Sequence, residues 1–219
     1  DRTASLPADR LSPLQRDLLE AFFLHESRFH LTGGAALAGY YLGHRETADL
    51  DLFTSIGVIE EGEAALRAAA RDVGASVEHV QTAPEFRRRL VRRARESVIV
   101  DLVVDTTPQG PQPKRHFGDV RVDPPQEILA NKLCTLLSRA ELRDLVDVLA
   151  LERAGFRAED ALPLANCKDG GLTPAQLAWV LSQVTVGDDA AIPGGVSPAD
   201  LQAFLADLIA RLTRLSFPR

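Results

Sequence analysis

The stretch LTGGAALAGYYLGHRETADLDLF, residues 31–53, carries the strongest local pattern in the chain. An apolar segment ends at the glycine pair Gly33-Gly34, and small and apolar residues suited to a helix follow as far as Leu42. Residues 48–53 then alternate Asp with Leu, as a strand with one buried face does. The pattern therefore predicts the order strand, glycine turn, helix, strand.

Asp49 and Asp51 lie two residues apart, so on a strand both carboxylates project from one face while the leucines beside them face the core. Neighbouring carboxylates repel each other unless a cation lies between them, and a site made of oxygen ligands suits Mg²⁺ or Mn²⁺. Gly33 and Gly34 would let phosphate approach backbone amides at a helix start. A solvated acid pair and a plain turn are the alternative interpretations.

A third acid stands in the apolar segment VIVDLVVD, residues 98–105. Asp101 has apolar neighbours on both sides, which predicts a place inside the sheet, where a carboxylate needs a partner. Completing a metal site with Asp49 and Asp51 would supply one. Asp105, four residues further along and on the same strand face, is the competing candidate.

The chain has a net charge of −6, which argues against a protein that coats nucleic acid nonspecifically. It nevertheless contains one dense cationic run, made of Arg87, Arg88, Arg89, Arg92, Arg93 and Arg95. One interpretation is a charged hairpin that blunts a sheet edge. The other is a basic track that holds nucleic acid or triphosphate.

Length and composition are those of a globular protein with one large core or two modest lobes, at 219 residues and 45% hydrophobic. Further strands are predicted at 86–91 and 97–104. The predicted helices are 13–23, 60–73, 125–137, 141–154, 174–184 and 198–215. Five prolines between residues 106 and 125 indicate an irregular crossing between lobes, which predicts domains at 1–110 and 111–219.

The two cysteines, Cys134 and Cys167, lack any metal-ligand or disulfide spacing. No apolar run reaches the roughly 18 residues that a bilayer-spanning helix needs. We therefore expect a cytoplasmic protein without a membrane partner.

Residues 31–53 are similar to the first motif of the AbiEii/AbiGii-type nucleotidyltransferases, the toxin half of many bacterial toxin–antitoxin and phage-defence pairs. The resemblance extends to VIVDLVVD and to EILANKLCTLLSRAELRDLVDVLAL, residues 127–151. This family belongs to the DNA polymerase β-like superfamily. The resemblance implies an α+β fold: a polymerase β-like nucleotidyltransferase core with a short mixed sheet, followed by an all-helical C-terminal lobe that contributes to the active site.

Matched position by position, the resemblance implies that Asp49, Asp51 and Asp101 hold the metal and that Gly33 and Gly34 form the phosphate-facing turn. The other implied catalytic or phosphate-binding residues are Arg45, Thr47, Lys132, Arg139, Arg143 and Asp144. A structural interpretation competes for the residues after position 138. The spacing of Arg139, Arg143, Asp144 and Asp147 is also that of a helical salt-bridge ladder.

The implied activity is Mg²⁺-dependent (or Mn²⁺-dependent) transfer of a nucleoside monophosphate from a nucleoside triphosphate to a hydroxyl group. The implied acceptor is RNA, notably a tRNA 3′ end held by the arginine run, and the implied protein partner is a cognate antitoxin. One alternative is transfer to a protein or to a small molecule such as an aminoglycoside. Another is a non-catalytic interaction module with the same fold.

Overall fold

The structure, a computed structural model, describes residues 10–217, and these fall into two compact units. The sheet unit contains the described residues up to Thr107 together with Pro113–Pro124. The helical unit contains Pro108–Gln112 and the described residues from Pro125 onward. The domain division at residue 110 stays a prediction, although residues 113–124 belong with the sheet because they add strands to it.

The sheet unit combines seven strands with three helices, one of which continues as a π-helix. Its helices are α1 (Pro13–His25), α2 (Gly33–Ala36), which runs into the π-helix Leu37–Tyr41, and α3 (Ile59–Asp72). Its strands are β1 (His30–Thr32), β2 (Asp49–Thr54), β3 (Ser76–Ala83), β4 (Phe86–Arg93), β5 (Glu96–Val104), β6 (Arg115–Phe117) and β7 (Val120–Val122).

The sheet is mixed, with the strand order β3-β4-β5-β2-β1-β7-β6. β2 pairs in parallel with β5 and antiparallel with β1, so β2 lies at the centre of the sheet. Leu50 and Leu52 point to one face and are buried, as the alternation predicts, and α1 and α3 contact the neighbouring strand β5. The opposite face carries Asp49, Asp51 and Asp101 and is called the acid face below.

Three strands of the sheet, β3, β6 and β7, were not predicted from the sequence. β3 lies at one edge and is largely exposed, so it lacks the apolar alternation that identifies a strand. β6 and β7 have only three residues each and lie in the proline-rich segment that was predicted to be irregular. That prediction was wrong for residues 115–122, because β7 pairs with β1 across the fold and local sequence does not encode this pairing.

The helical unit consists of five α-helices and one short 3₁₀ turn, Pro193–Gly195. The α-helices are α4 (Pro125–Ser138), α5 (Leu142–Arg153), α6 (Ala158–Lys168), α7 (Pro174–Ser182) and α8 (Pro198–Ser216). α8 begins as predicted, with the Ser197 hydroxyl accepting a hydrogen bond from the Asp200 amide. α6 was not predicted and contains Pro163, a residue that normally argues against a helix interior. Within residues 10–217, every helix is too short or too polar to cross a bilayer.

Candidate functional site

Strand register lines up one row of polar side chains across the acid face. Thr32 on β1 is paired with Asp51 on β2, and Asp51 is paired with Asp101 on β5. Directly paired residues on neighbouring strands point to the same face. Arg88 on β4 pairs with Asp101 and ends the row, while Asp49 lies on the same face two residues before Asp51. The three predicted carboxylates are thus brought together.

Gly33 allows the carboxylate of Asp51 to lie directly against the turn after β1. Gly33 has φ +66°, and a Cβ atom built there would come within 2.4 Å of Asp51 Oδ2. Real Cβ atoms do not approach an oxygen so closely, so any other residue at position 33 would push this carboxylate away. The glycine therefore serves both the left-handed backbone and the position of the acid.

Gly34 is covered by two of the other predicted site residues. A Cβ atom at this position would lie 2.6 Å from Arg45 Nη2 and 3.5 Å from Thr47 Oγ1. Arg45 is 8% exposed and donates a hydrogen bond to the Glu46 carbonyl oxygen at 2.9 Å. The glycine pair, Arg45 and Thr47 therefore converge at the same end of β2 as the acids.

A cleft of about 330 Å³ opens beside Thr47. It is lined by Arg10, Leu11, Ser12, Gln15, Glu46 and Thr47. The Gln15 amide donates a hydrogen bond to the Thr47 carbonyl oxygen at 2.9 Å and so ties α1 to this segment. The cleft provides room for a small ligand next to a predicted phosphate-binding residue.

Asp101 forms a two-pronged ion pair with Arg88. Nε donates to Oδ1 at 2.8 Å, and Nη2 donates to Oδ2 at 2.6 Å. The hydrogen bonds and charge of Asp101 raise the pKa of the Arg88 guanidinium against the opposing effect of burial, and the charges of Asp49 and Asp51 act in the same direction. Arg88 therefore lies within the electrostatic field of all three acids.

Asp105, the competing candidate for the third carboxylate, follows the end of β5. Its backbone amide donates to the Thr54 carbonyl oxygen at 2.7 Å, and its Oδ1 accepts a hydrogen bond from the Thr107 amide at 2.9 Å. This is a turn arrangement that Asp commonly adopts. The carboxylate beside Asp51 is that of Asp101.

The arginine run does not form an edge hairpin, because β4 lies inside the sheet between β3 and β5. Alternation directs Arg87 and Arg89 to the face covered by α3, where both are buried and paired with Glu63. Arg92 pairs with Glu78, and Arg93 pairs with Asp17 and Glu96. The continuous basic track that the sequence suggested is therefore divided between two faces, and most of its charge is neutralised within the sheet unit.

The remaining predicted residues belong to the helical unit, where they form a cluster of their own. The Lys132 ammonium lies 2.7 Å from Asp144 Oδ1 and 2.6 Å from Asp147 Oδ2, and both acids are fully buried. Burial lowers the pKa of Lys132, but the charges of Asp147 and Asp144 outweigh it and raise that pKa overall. This geometry is that of a buried ion cluster that links α4 to α5.

Arg139 and Arg143 lie at the exposed side of this cluster. Arg139 Nε is 3.4 Å from Asp144 Oδ2, and Arg143 Nε donates to Glu141 Oε2 at 2.7 Å. Both arginine side chains are more than two fifths exposed, at 48% and 43%. Both guanidinium groups are therefore accessible to a ligand from solvent.

The acid face has the donor chemistry that a divalent cation needs, since Asp49, Asp51 and Asp101 supply oxygen ligands only. Within residues 10–217, no three acidic, histidine or cysteine side chains are grouped as a metal site as they stand. Arg88 already occupies both oxygens of Asp101. The Thr32 hydroxyl, in the same row, is buried without a hydrogen-bond partner in the described part of the chain. The donor chemistry of Asp49, Asp51 and Asp101, beside the Gly33 cradle, is of the kind that suits a divalent cation such as Mg²⁺.

Sequence reasoning missed Thr32 and Arg88. Thr32 carries a weak signal, a hydroxyl at the strand end just before a glycine pair. Arg88 carries none of its own, since it is one arginine among six and only the register of β4 with β5 selects it.

Comparison with solved structures supports a nucleotidyltransferase fold. A provisionally assigned nucleotidyltransferase from H. pylori matches with a TM-score of 0.55 and 19% identity, over 94% of this chain and 99% of that one. JHP933 from Helicobacter pylori matches with a TM-score of 0.55 and 20% identity, over 93% of this chain and 92% of that one. No curated protein sequence matches the chain. The model of the nucleotidyl transferase AbiEii toxins of type IV toxin–antitoxin systems matches residues 16–216. The predicted α+β nucleotidyltransferase fold is thus confirmed, and the chain belongs to the AbiEii nucleotidyltransferase toxin family.

Proposed function

We propose that this toxin transfers a nucleoside monophosphate from a nucleoside triphosphate to a hydroxyl group at an RNA end, notably a tRNA 3′ end. The reaction requires Mg²⁺ or Mn²⁺, takes place in the cytoplasm and is opposed by a cognate antitoxin. The observation that carries this proposal is the pairing of Asp51 with Asp101, with Gly33 packed against Asp51.

Asp49, Asp51 and Asp101 are the residues that would hold the metal. When bound, the metal neutralises phosphate charge and lowers the pKa of the attacking hydroxyl. Asp101 accepts the proton of that hydroxyl at a carboxylate oxygen. The hydroxyl oxygen bonds to the α-phosphorus of the nucleotide, and the bond between the α- and β-phosphates breaks, so that pyrophosphate leaves. The carboxylates project from paired strands and need little rearrangement during the reaction. Positioning of the reacting groups is therefore the main catalytic contribution of the protein.

Arg45 and Thr47 are the proposed contacts to the triphosphate in the sheet unit. Both pack over Gly34, so a phosphate group near this glycine would meet a guanidinium, a hydroxyl and bare backbone. The cleft beside Thr47 offers space for the rest of the nucleotide. Their convergence on one glycine supports this assignment.

Lys132, Arg139, Arg143 and Asp144 are proposed as phosphate-contacting or catalytic residues only through their match to the family motif. The contacts within the helical unit support a structural role for Lys132, because its ammonium already satisfies two buried carboxylates. Arg139 and Arg143 are better placed to meet phosphate, since their side chains are exposed.

An RNA acceptor requires a cationic surface, and the arginine run no longer provides one. The β6–β7 hairpin offers a smaller alternative, in which the Arg115 guanidinium lies 5.6 Å from the centroid of the Tyr41 ring. Phe117 packs against Tyr40 and Tyr41, with ring centroids 5.0 and 5.6 Å apart. Aromatic rings combined with arginine are typical of surfaces that bind single-stranded nucleic acid.

The decisive experiment is incubation of the purified protein with each labelled nucleoside triphosphate and Mg²⁺, with separate pools of tRNA, protein and small molecules. We expect label at tRNA 3′ ends, and none with the variant Asp49→Asn. Label confined to protein or to an aminoglycoside would reject RNA as the acceptor while keeping the enzyme class. Transfer to a protein or a small molecule is the second candidate function. It is favoured by the net charge of −6 and by the pairing of the arginines within the sheet unit.

A protein that transfers no label to any pool and binds triphosphate equally well with and without Mg²⁺ would be a non-catalytic module. The same toxicity for wild type and Asp49→Asn in cells would support that conclusion. Sequencing of tRNA 3′ ends from cells that express the two proteins would join chemistry, acceptor and toxicity in one measurement.

A further inference from the structure

Arg88 occupies the carboxylate that the proposed function assigns to the metal. Its guanidinium forms two parallel hydrogen bonds with Asp101, at 2.8 and 2.6 Å, and therefore uses both carboxylate oxygens. The Asp101 side chain is 9% exposed, whereas the Arg88 side chain is 42% exposed. The Asp101 carboxylate is therefore buried in the sheet, and the Arg88 guanidinium contacts it from the solvent side.

The arrangement balances charge on a face that would otherwise be strongly acidic. Asp49, Asp51 and Asp101 lie on one face of the sheet, and the charges of all three act on Arg88. Carboxylates on one face raise each other's free energy unless a cation lies among them. Arg88 supplies a single positive charge to this set. A divalent cation among the same acids would supply two charges, and it would also repel the guanidinium.

We propose that Arg88 is an exchangeable counter-ion, which holds Asp101 in the metal-free protein and is displaced when a divalent cation binds. This inference rests on the proposed function, because it assumes that the three acids bind a metal. Arg88 therefore sets the metal concentration at which the site fills. It acts through Asp101 and is a positioning residue.

Arg88 also has a place to stay after it is displaced. Its guanidinium carbon lies 5.5 Å from the centroid of the Phe86 ring, two residues earlier on β4 and on the same face. Contact of a guanidinium with an aromatic face is favourable and does not need Asp101. The guanidinium makes this contact while it is paired with Asp101, so the Phe86 ring offers it a favourable partner that does not depend on the acid.

Arg92 is a matched control on the same strand and the same face. It pairs with Glu78 on β3 rather than with an acid of the row, and both of these side chains are 52% exposed. The substitutions Arg88→Gln and Arg92→Gln remove the same charge. Only the first one releases Asp101.

The test is Mn²⁺ binding in the absence of nucleotide, measured by calorimetry and by the electron paramagnetic resonance signal of free Mn²⁺. We expect Arg88→Gln to lower the Kd for Mn²⁺ about three- to tenfold, the order expected for a partly exposed charge-assisted pair. Arg92→Gln should change the Kd for Mn²⁺ by no more than about twofold, because Arg92 is exposed and pairs outside the acid row, where solvent and salt screen its charge. Without metal, Arg88→Gln should melt earlier than wild type, and saturating Mn²⁺ should close most of that gap.

Arg88→Lys guards against a variant that does not fold. It keeps the charge but loses the two-pronged geometry, so its Kd for Mn²⁺ should fall between those of wild type and Arg88→Gln. Unchanged or weaker Mn²⁺ binding by Arg88→Gln and Arg88→Lys, in a protein whose binding is abolished by Asp49→Asn, would overturn the exchange and leave the proposed function intact. If Asp49→Asn did not weaken Mn²⁺ binding, both the proposed function and the exchange would be rejected.

Discussion

At the scale of single residues, the acid face depends on positions where a small change in side chain has a large effect on the site. Gly33 lies at φ +66° and is in contact with the carboxylate of Asp51. Thr32, its neighbour, carries a buried hydroxyl without a hydrogen-bond partner in the described residues. Both positions can be tested with variants that separate stability from function.

Gly33→Ala should abolish metal binding and nucleotidyl transfer while costing only about 1 to 2 kcal/mol of folding free energy from the left-handed backbone. The matched control is Gly74→Ala. Gly74 has φ +69° but an added Cβ there would meet nothing within 4 Å, so it should show the same loss of stability without loss of binding. Thermal unfolding and Mn²⁺ titration measure the two effects. Equal Mn²⁺ binding by both variants would contradict the role of Gly33 in placing Asp51.

Thr32→Val should leave the melting temperature unchanged or slightly higher, since an unsatisfied buried hydroxyl costs about 1 to 3 kcal/mol and valine has a similar shape. Transfer activity should fall about tenfold, the effect of about 1.4 kcal/mol in the transition state. Thr32→Ser keeps the hydroxyl and should retain most of the activity. Full activity of Thr32→Val in a steady-state assay would show that the hydroxyl faces no reacting group.

At the scale of elements, β4 shows how alternation assigns one run of arginines to two tasks. Arg88 meets the acid row, and Arg87 and Arg89 meet α3 on the other face. Glu63 on α3 accepts hydrogen bonds from both of these buried arginines. β4 therefore connects the acid face with the packing of the opposite face.

Glu63 should stabilise the protein in a pH-dependent way. Burial raises the pKa of Glu63, but the hydrogen bonds and charges of Arg89 and Arg67 outweigh burial and lower it to about 2. The stabilisation is therefore present above the ordinary pKa of 4.5 and is lost as the pH falls towards 2. Glu63→Gln should cost about 3 kcal/mol at pH 7, and this difference should narrow below pH ~4.5.

Glu60→Gln is the matched control for Glu63→Gln, since Glu60 lies on the same helix and pairs with Arg87 but is 74% exposed. Its effect should stay below about 1 kcal/mol. Unfolding curves at pH 7, 5 and 3.5 provide the measurement. A destabilisation by Glu63→Gln that does not change with pH would refute the charge-based explanation.

At the scale of the whole molecule, the chain combines a sheet unit that carries the three acids with a helical unit that carries a buried ion cluster. The family motif at residues 127–151 can therefore serve either stability or catalysis. The two roles make different predictions for Lys132.

Lys132→Met should destabilise the protein by about 3 to 5 kcal/mol, because it removes the ammonium group that contacts two fully buried carboxylates, those of Asp144 and Asp147. Arg139→Met, which removes a contact made by a side chain that is 48% exposed, should cost at most about 1 kcal/mol. Calorimetry of the full chain measures both effects. Lys132→Met with normal stability and no triphosphate binding would instead support the phosphate-contacting role.

Local sequence patterns were sufficient to predict the central strands, the face that Asp49 and Asp51 share and the helices with clear caps. Strand alternation and helix capping act between residues close in sequence, so one sequence displays them. The short strands β6 and β7 could not be predicted in this way. β7 pairs with β1, which joins residues about 90 positions apart, and β6 in turn pairs with β7, so a local pattern does not encode their place in the sheet.

The sequence by itself determined that Asp49 and Asp51 share a face, that a glycine pair precedes them and that a third acid lies within a later strand. Only the tertiary structure decided that Asp101 is the acid beside Asp51, that Arg88 pairs with it and that the other arginines of β4 are paired elsewhere. The physical reason is register. A shift of one residue between β4 and β5 would turn Arg88 to the opposite face and leave Asp101 without its counter-ion, and register is set by packing across the whole sheet.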